Sequence, residues 1–150
     1  MRKILTLGIA VTAIVAGQAL AASQPAQMHV SVEVVARTIL TLDSQPASVE
    51  ITASDIARGY VDLPSAVSFH VRSNARNGFA VEFQPVGGPF SGARVSWGNT
   101  MATVGSDSSW IAQPYQQGTT TGVMSVRFTL APDATPGTYG WPLAVAADSL

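Results

Sequence analysis

The chain has 150 residues, a formal net charge of −1, 47% hydrophobic but only 11% charged residues, and no cysteine. The length suffices for one domain with a real core. Without cysteine there is no disulfide stapling and no thiolate metal site, so stability must come from burial and backbone pairing.

Residues 1–21 read as a secretory signal peptide. Arg2 and Lys3 form a positive n-region, Ile4 to Ala16 is mostly apolar, and Ala19-Leu20-Ala21 is an A-x-A cleavage pattern. Thr6, Gly8 and Thr12 interrupt an apolar run that is already short for a bilayer span. Cleavage is expected after Ala21, leaving residues 22–150 to act outside the cytoplasm with no membrane span. Without Arg2 and Lys3, the eight basic residues fall to six, all arginine, against nine acidic residues. Arg37, Arg58, Arg72, Arg76, Arg94 and Arg127 form no cluster along the sequence, so nucleic acid is not an expected partner. Abundant Val, Ala, Ser, Thr and Gly favour packed β-structure, and the sparse charge leaves strand edges little protection.

Met28–Val35 alternates, with Met28, Val30, Val32 and Val34 on one face and His29, Ser31 and Glu33 on the other, a strand signal. A bend at Ala36 leads to a second strand over 37–43, and 47–52 is a third. Residues 54–59 read as one helical turn capped by Ser54 and ended by Gly59, or as a loop. Pro64 bars a central strand around 60–64. Residues 66–72 and 78–84 read as a hairpin across Asn77-Gly78, turning Val67, Phe69, Val71, Phe79, Val81 and Phe83 into one core. After a loop over 86–92, residues 93–97 and 100–104 form a hairpin across Gly98-Asn99. A long polar stretch follows over 105–122. Residues 123–130 are a strand with Met124, Val126, Phe128 and Leu130 inward. A Pro-rich turn leads to a last strand over 138–147, where Pro142 implies an edge or a bulge. Eight or nine short strands without a long helix predict an all-β, antiparallel immunoglobulin-like β-sandwich, with a closed barrel as the alternative.

Catalysis is not expected. The two histidines, His29 and His70, sit on polar strand faces, and no nucleophile motif accompanies them. The aspartates lack a calcium-loop spacing and read as caps and turn formers, so no metal and no cofactor are expected. Trp110, Tyr115 and Gln116, in the polar stretch, are candidate ligand residues that could stack on and hydrogen-bond a glycan; alternatively Trp110 and Ile111 plug the sandwich end. Met28, Val30, Val32 and Val34 are candidate donor-strand residues. Such a segment could leave its own domain and complete a neighbour's sheet, or serve as the first strand of its own.

Several segments resemble chaperone–usher pilus (fimbrial) subunits of the alpha class (class 5). They are the signal peptide followed by Val30–Val35 and Thr38-Ile39-Leu40-Thr41-Leu42, the Arg94-Val95-Ser96-Trp97-Gly98 segment, and the Ala131–Tyr139 turn with its Pro, Gly and Tyr. Many pilins carry a disulfide that this chain lacks, as do the alpha-class subunits. The resemblance implies a signal peptide over 1–21, an N-terminal extension or donor strand over 22–35, and an incomplete immunoglobulin-like domain over 36–150. It implies like subunits, a periplasmic chaperone and an usher as partners, with Leu143 and Val145 on the chaperone-facing edge. Transit through the periplasm to a fimbrium on the cell surface would follow. The alternative is a self-contained periplasmic or extracellular binding module for a glycan or peptide.

Overall fold

Strands form where apolar residues recur at every second position, because that period puts them on one face of a pleated ladder. The computed structural model describes residues 30–150. In chain order the elements are β1 (Thr38–Ser44), β2 (Ser48–Ile51), α1 (Ala53–Arg58), β3 (Tyr60–Ser73), β4 (Phe79–Phe83), β5 (Phe90–Trp97), β6 (Thr100–Val104), β7 (Ser109–Gln113), β8 (Thr119–Leu130), β9 (Gly137–Gly140) and β10 (Val145–Ser149). The chain falls into two units, Met1–Glu33 and Val34–Leu150, and every one of these elements belongs to the second. The signal-peptide residues and Met28 lie outside the described residues. Among the described residues, no helix is long and apolar enough to cross a membrane.

The fold is all-β and antiparallel, its sheets in a sandwich-like arrangement. Five strands pair in the order β1-β3-β8-β5-β6, three in the order β10-β4-β7, and β2 pairs with β9. The large sheet contributes Val67, Phe69, Val71, Val95, Met124 and Phe128 to the core, and the smaller one Phe79, Val81, Phe83 and Ile111, all buried. Each large apolar side chain so buried is worth about 1.5–3 kcal/mol before chain entropy is subtracted. Aromatic edges lock the filling. Phe69 meets Trp97 edge-on at 4.9 Å between ring centroids, and Phe128 meets Trp141 edge-on at 5.5 Å.

Several expectations hold in burial and fail in pairing. The six apolar residues of 66–72 and 78–84 do share one core, but β3 and β4 are not a hairpin. Their connection crosses from one sheet to the other, because each strand finds its hydrogen-bond partners elsewhere. β3 pairs with β1 and β8, and β4 with β10 and β7. Gly78 does take positive φ, at 100°, and its Cα lies hard against the Gln113 carbonyl. Pro64 does not end its strand. β3 runs through it at a bulge, where pairing with β8 slips between Leu63 and Val67. There Ser65 adopts φ 51°, and its N–H donates to Ser125 Oγ at 3.0 Å.

The helical turn exists, but its N-cap is Thr52, not Ser54. Thr52 and Asp55 form a reciprocal capping box, and Gly59 closes the turn in the left-handed region. The hairpin across Gly98-Asn99 is present, with β5 starting earlier than expected, at Phe90. The stretch 105–122 is not a plain loop, since it holds β7 and the start of β8. The last predicted strand is two. Pro142 lies in the break where the chain passes from β9, paired to β2, to β10, paired to β4.

Candidate functional site

A strand at a sheet edge leaves alternate N–H and C=O groups without ladder partners, and any inward apolar residue there has cover on one side only. β1 and β10 are two such edges. β1 pairs with β3 and β10 with β4, and no ladder joins β1 to β10. They lie side by side at one end, where Thr38 Oγ1 is 2.9 Å from Ser149 Oγ and 2.8 Å from Ser73 Oγ. At the other end they diverge around a cleft of about 500 Å³ lined by Leu42, Pro46, Trp141, Leu143 and Val145.

The inward residues record the missing cover. One strand further in, Phe69 and Val71 of β3 and Val81 and Phe83 of β4 are buried. On the edges themselves Leu40, Val145 and Ala147 are only half-buried, although they pack on the core. Leu42, on the same face of β1 as Leu40, is 37% exposed. Leu143, from the break before β10, is buried at the cleft floor.

The segment before β1 departs from the sequence expectation. Residues 30–37 form no strand. Val30, Val32, Val34 and Val35 are each 74–79% exposed, so the alternation marks side chains left uncovered among the described residues. The physical reason is that period-two patterning supplies the preference for a strand, whereas a partner edge supplies the strand itself. Asn74 fixes how the chain enters β1. Its backbone N–H donates to the Arg37 carbonyl at 3.1 Å, its amide donates to the Val35 carbonyl at 3.0 Å, and its Oδ1 accepts from the Arg37 N–H at 2.5 Å. This extends the β1–β3 register by one residue, so Val35–Arg37 continue in line with β1 instead of doubling back along it.

The aromatic ligand candidates are not gathered. Trp110 lies on β7 opposite Glu82 and is 64% exposed, so it plugs nothing; its neighbour Ile111 is the buried one. Tyr115 is 44% exposed. Gln116 accepts from Thr120 Oγ1 at 3.3 Å and lines a cleft of about 390 Å³ with Trp97, Asn99 and Gln113, in which neither Trp110 nor Tyr115 takes part. His70 faces Asp43, with Nδ1 2.7 Å from Oδ1 on the exposed face of β3 and β1. Among the described residues, no three or more His, Asp or Glu side chains converge as a metal site would require.

One feature escapes a linear reading. Arg58, Arg94 and Arg127, far apart in sequence, line a single groove on the outer face of the large sheet. Arg127 is held by Asp62 through two bonds of 2.6 and 2.8 Å, which raises its pKa. The signal available in the sequence was period-two placement: Arg94 and Arg127 fall on the outward positions of strands that both patterns already mark. Comparison of the chain with protein-family models, with characterised proteins and with solved structures finds no match.

Proposed function

We propose that this chain is a secreted structural or adhesive subunit of the chaperone–usher pilus type, with an immunoglobulin-like sandwich, polymerised by strand donation. On this reading residues 22–35 of one copy lie along the β1–β10 edge of the next, with Met28, Val30, Val32 and Val34 as the inserted residues. The observation that carries it is a complementarity within one sequence: an alternating apolar segment, exposed from Val30 on, precedes a domain in which the β1–β10 edge leaves Leu40, Leu42, Val145 and Ala147 under-covered among the described residues. Backbone hydrogen bonds would supply the affinity and alternate side chains the fit.

Two geometric arguments favour donation between copies. β1 has seven residues, as does Met28–Val34, so the donor spans the edge at about 3.3 Å per residue. Antiparallel pairing with β10 requires the donor to run parallel to β1, because β1 and β10 are themselves antiparallel: Thr38 meets Ser149, and Leu42 shares a cleft with Val145. A chain that enters β1 through Val35–Arg37 reaches that orientation only by a long crossover, and Asn74 holds these residues in line. A like subunit meets the requirement without one. Before assembly a periplasmic chaperone would cover the same edge, including Leu143 and Val145, and an usher would pass the subunit to a fimbrium at the cell surface. No catalysis and no cofactor enter this role.

The test is a denaturing gel of the protein expressed to the periplasm with a candidate chaperone, loaded without heating. The expected result is a ladder that collapses on boiling and is absent from Val32→Asp. A monomer band alone from the unsubstituted protein, or an equal ladder from Val32→Asp, would overturn the reading.

A further inference from the structure

The arginine groove lies away from the β1–β10 edge and is independent of strand donation. Arg94 on β5 and Arg127 on β8 are direct cross-strand neighbours, both facing outward. Like charges so placed repel, and sheets ordinarily avoid the arrangement. Asp62, next to Arg127 on the other side, takes both bonds of that guanidinium. Arg58 is taken by Asp55. Among the described residues Arg94 has no ion-pair partner. The three arginines thus meet two engaged carboxylates, and the charge left over sits on Arg94, on a chain whose net charge is otherwise negative.

The surroundings are polar and open. The groove holds about 550 Å³ between Arg58, Tyr60, Ser91, Arg94, Thr103 and Thr129. Arg94 and Arg127 also line an adjoining groove of about 550 Å³ with Ser96 and Ser125. The Arg127 guanidinium stacks over the Tyr60 ring at 4.3 Å and that of Arg58 stands 5.4 Å from it, which holds the planar forks in place before any ligand arrives.

We propose that this groove binds a carboxylate-bearing saccharide, its carboxylate seated on Arg94 beside Arg127 and its hydroxyls on Ser91, Thr103 and Thr129. The fork of Arg94 matches a carboxylate bidentately, and the bound anion relieves the Arg94–Arg127 repulsion. An acidic peptide fits less well. The groove floor is β8 and β5, each paired on both sides, so no backbone edge is offered to an extended chain. One unengaged cation is also too little for nucleic acid.

The probe is alginate, a polymer of carboxylated sugars, with neutral dextran and poly-glutamate beside it at equal ionic strength, read by calorimetry and by thermal shift. Alginate is expected to bind and to raise Tm, dextran to do neither, and poly-glutamate to bind more weakly. Arg94→Ser should weaken alginate binding about tenfold or more, the scale of one lost charge-assisted bond, while raising the Tm of the free protein by roughly a few degrees through relief of the like-charge pair. Arg94→Lys keeps the charge without the fork and should fall between. Arg76→Ser, an exposed arginine on the β3–β4 connection, should change nothing. The proposal is overturned by no alginate binding, by equal affinity for poly-glutamate, by Arg94→Ser binding as the unsubstituted protein does, or by Arg76→Ser losing as much.

Discussion

The two lateral edges of the sandwich are built from the same materials and end differently. At one edge β6 and β7 follow each other directly through Gly105–Ser108, lie side by side, and bury Ala102, Val104 and Ile111. At the other, β1 and β10 come from opposite ends of the domain, and their inward residues stay half-covered or, at Leu42, exposed. A short connection forces two edges together at little entropic cost, whereas edges contributed by distant segments meet only if side chains pull them in. Here the Thr38 and Ser149 hydroxyls do so at one end. The inward apolar residues of the β1–β10 edge are thus less covered than those of the β6–β7 edge.

Substitutions at the two edges should therefore diverge, and the largest effect is expected on the closed side. Ile111→Ala removes a buried side chain from a well-packed wall and should cost about 2–5 kcal/mol in urea unfolding of the monomer. A loss below about 1 kcal/mol would mean that the β6–β7 edge is as open as the other. Gly78→Ala comes next. It places a Cβ against the Gln113 carbonyl at positive φ, where β4 leaves the inter-sheet connection, and strain of about 1–3 kcal/mol should appear as a lower urea midpoint with an unchanged slope.

How far the sequence could be read depended on what each signal encodes. Period-two patterning reports which side of a strand faces the core, and it located Val67, Phe69, Val71, Phe79, Val81 and Phe83 correctly. It carries nothing about which strand is the neighbour, so two strands that face each other across the core read as a hairpin. The same limit explains Val30, Val32 and Val34: alternation marks a surface that wants cover without saying from where. Pro64 and Pro142 illustrate turn chemistry read out of context. The first is absorbed by a bulge with Ser65, while the second does break its strand, because β9 and β10 belong to different sheets. Arg94 and Arg127 became neighbours only through register, which no linear spacing shows.

The helix cap offers a control that ought to ignore the open edge. Thr52→Ala should cost about 1 kcal/mol wherever the edge stands, covered or not. Its partner Asp55 adds a pH signature. Hydrogen bonds from the Thr52 hydroxyl and backbone N–H, then from Arg58, hold the Asp55 carboxyl below its ordinary value of 3.8. A depressed carboxylate stabilises the fold above the unfolded value and loses that contribution as pH falls through the folded one. The stability gap between the unsubstituted protein and Asp55→Asn should thus be full near neutrality and shrink in acid below about pH 4. A gap that stayed constant from pH 7 to 2 would show that the capping box does not depend on the ionised form.

The smallest monomer effect is the most telling for the edge itself. Leu42 is an inward-facing residue with over a third of its surface in water, so Leu42→Ala forfeits little packing and should cost the monomer less than about 1 kcal/mol. If a donated strand covers it in the polymer, the same substitution removes a contact that exists only after assembly. The unheated ladder should then collapse at a lower temperature in Leu42→Ala, while the urea midpoint of the monomer barely moves. Trp110→Ala, an exposed apolar truncation on β7, should leave both readouts within about 0.5 kcal/mol of the unsubstituted protein. A split confined to Leu42 locates assembly at the β1–β10 edge. Equal behaviour of Leu42→Ala and Trp110→Ala would remove that edge from the assembly, because exposure alone would then account for both.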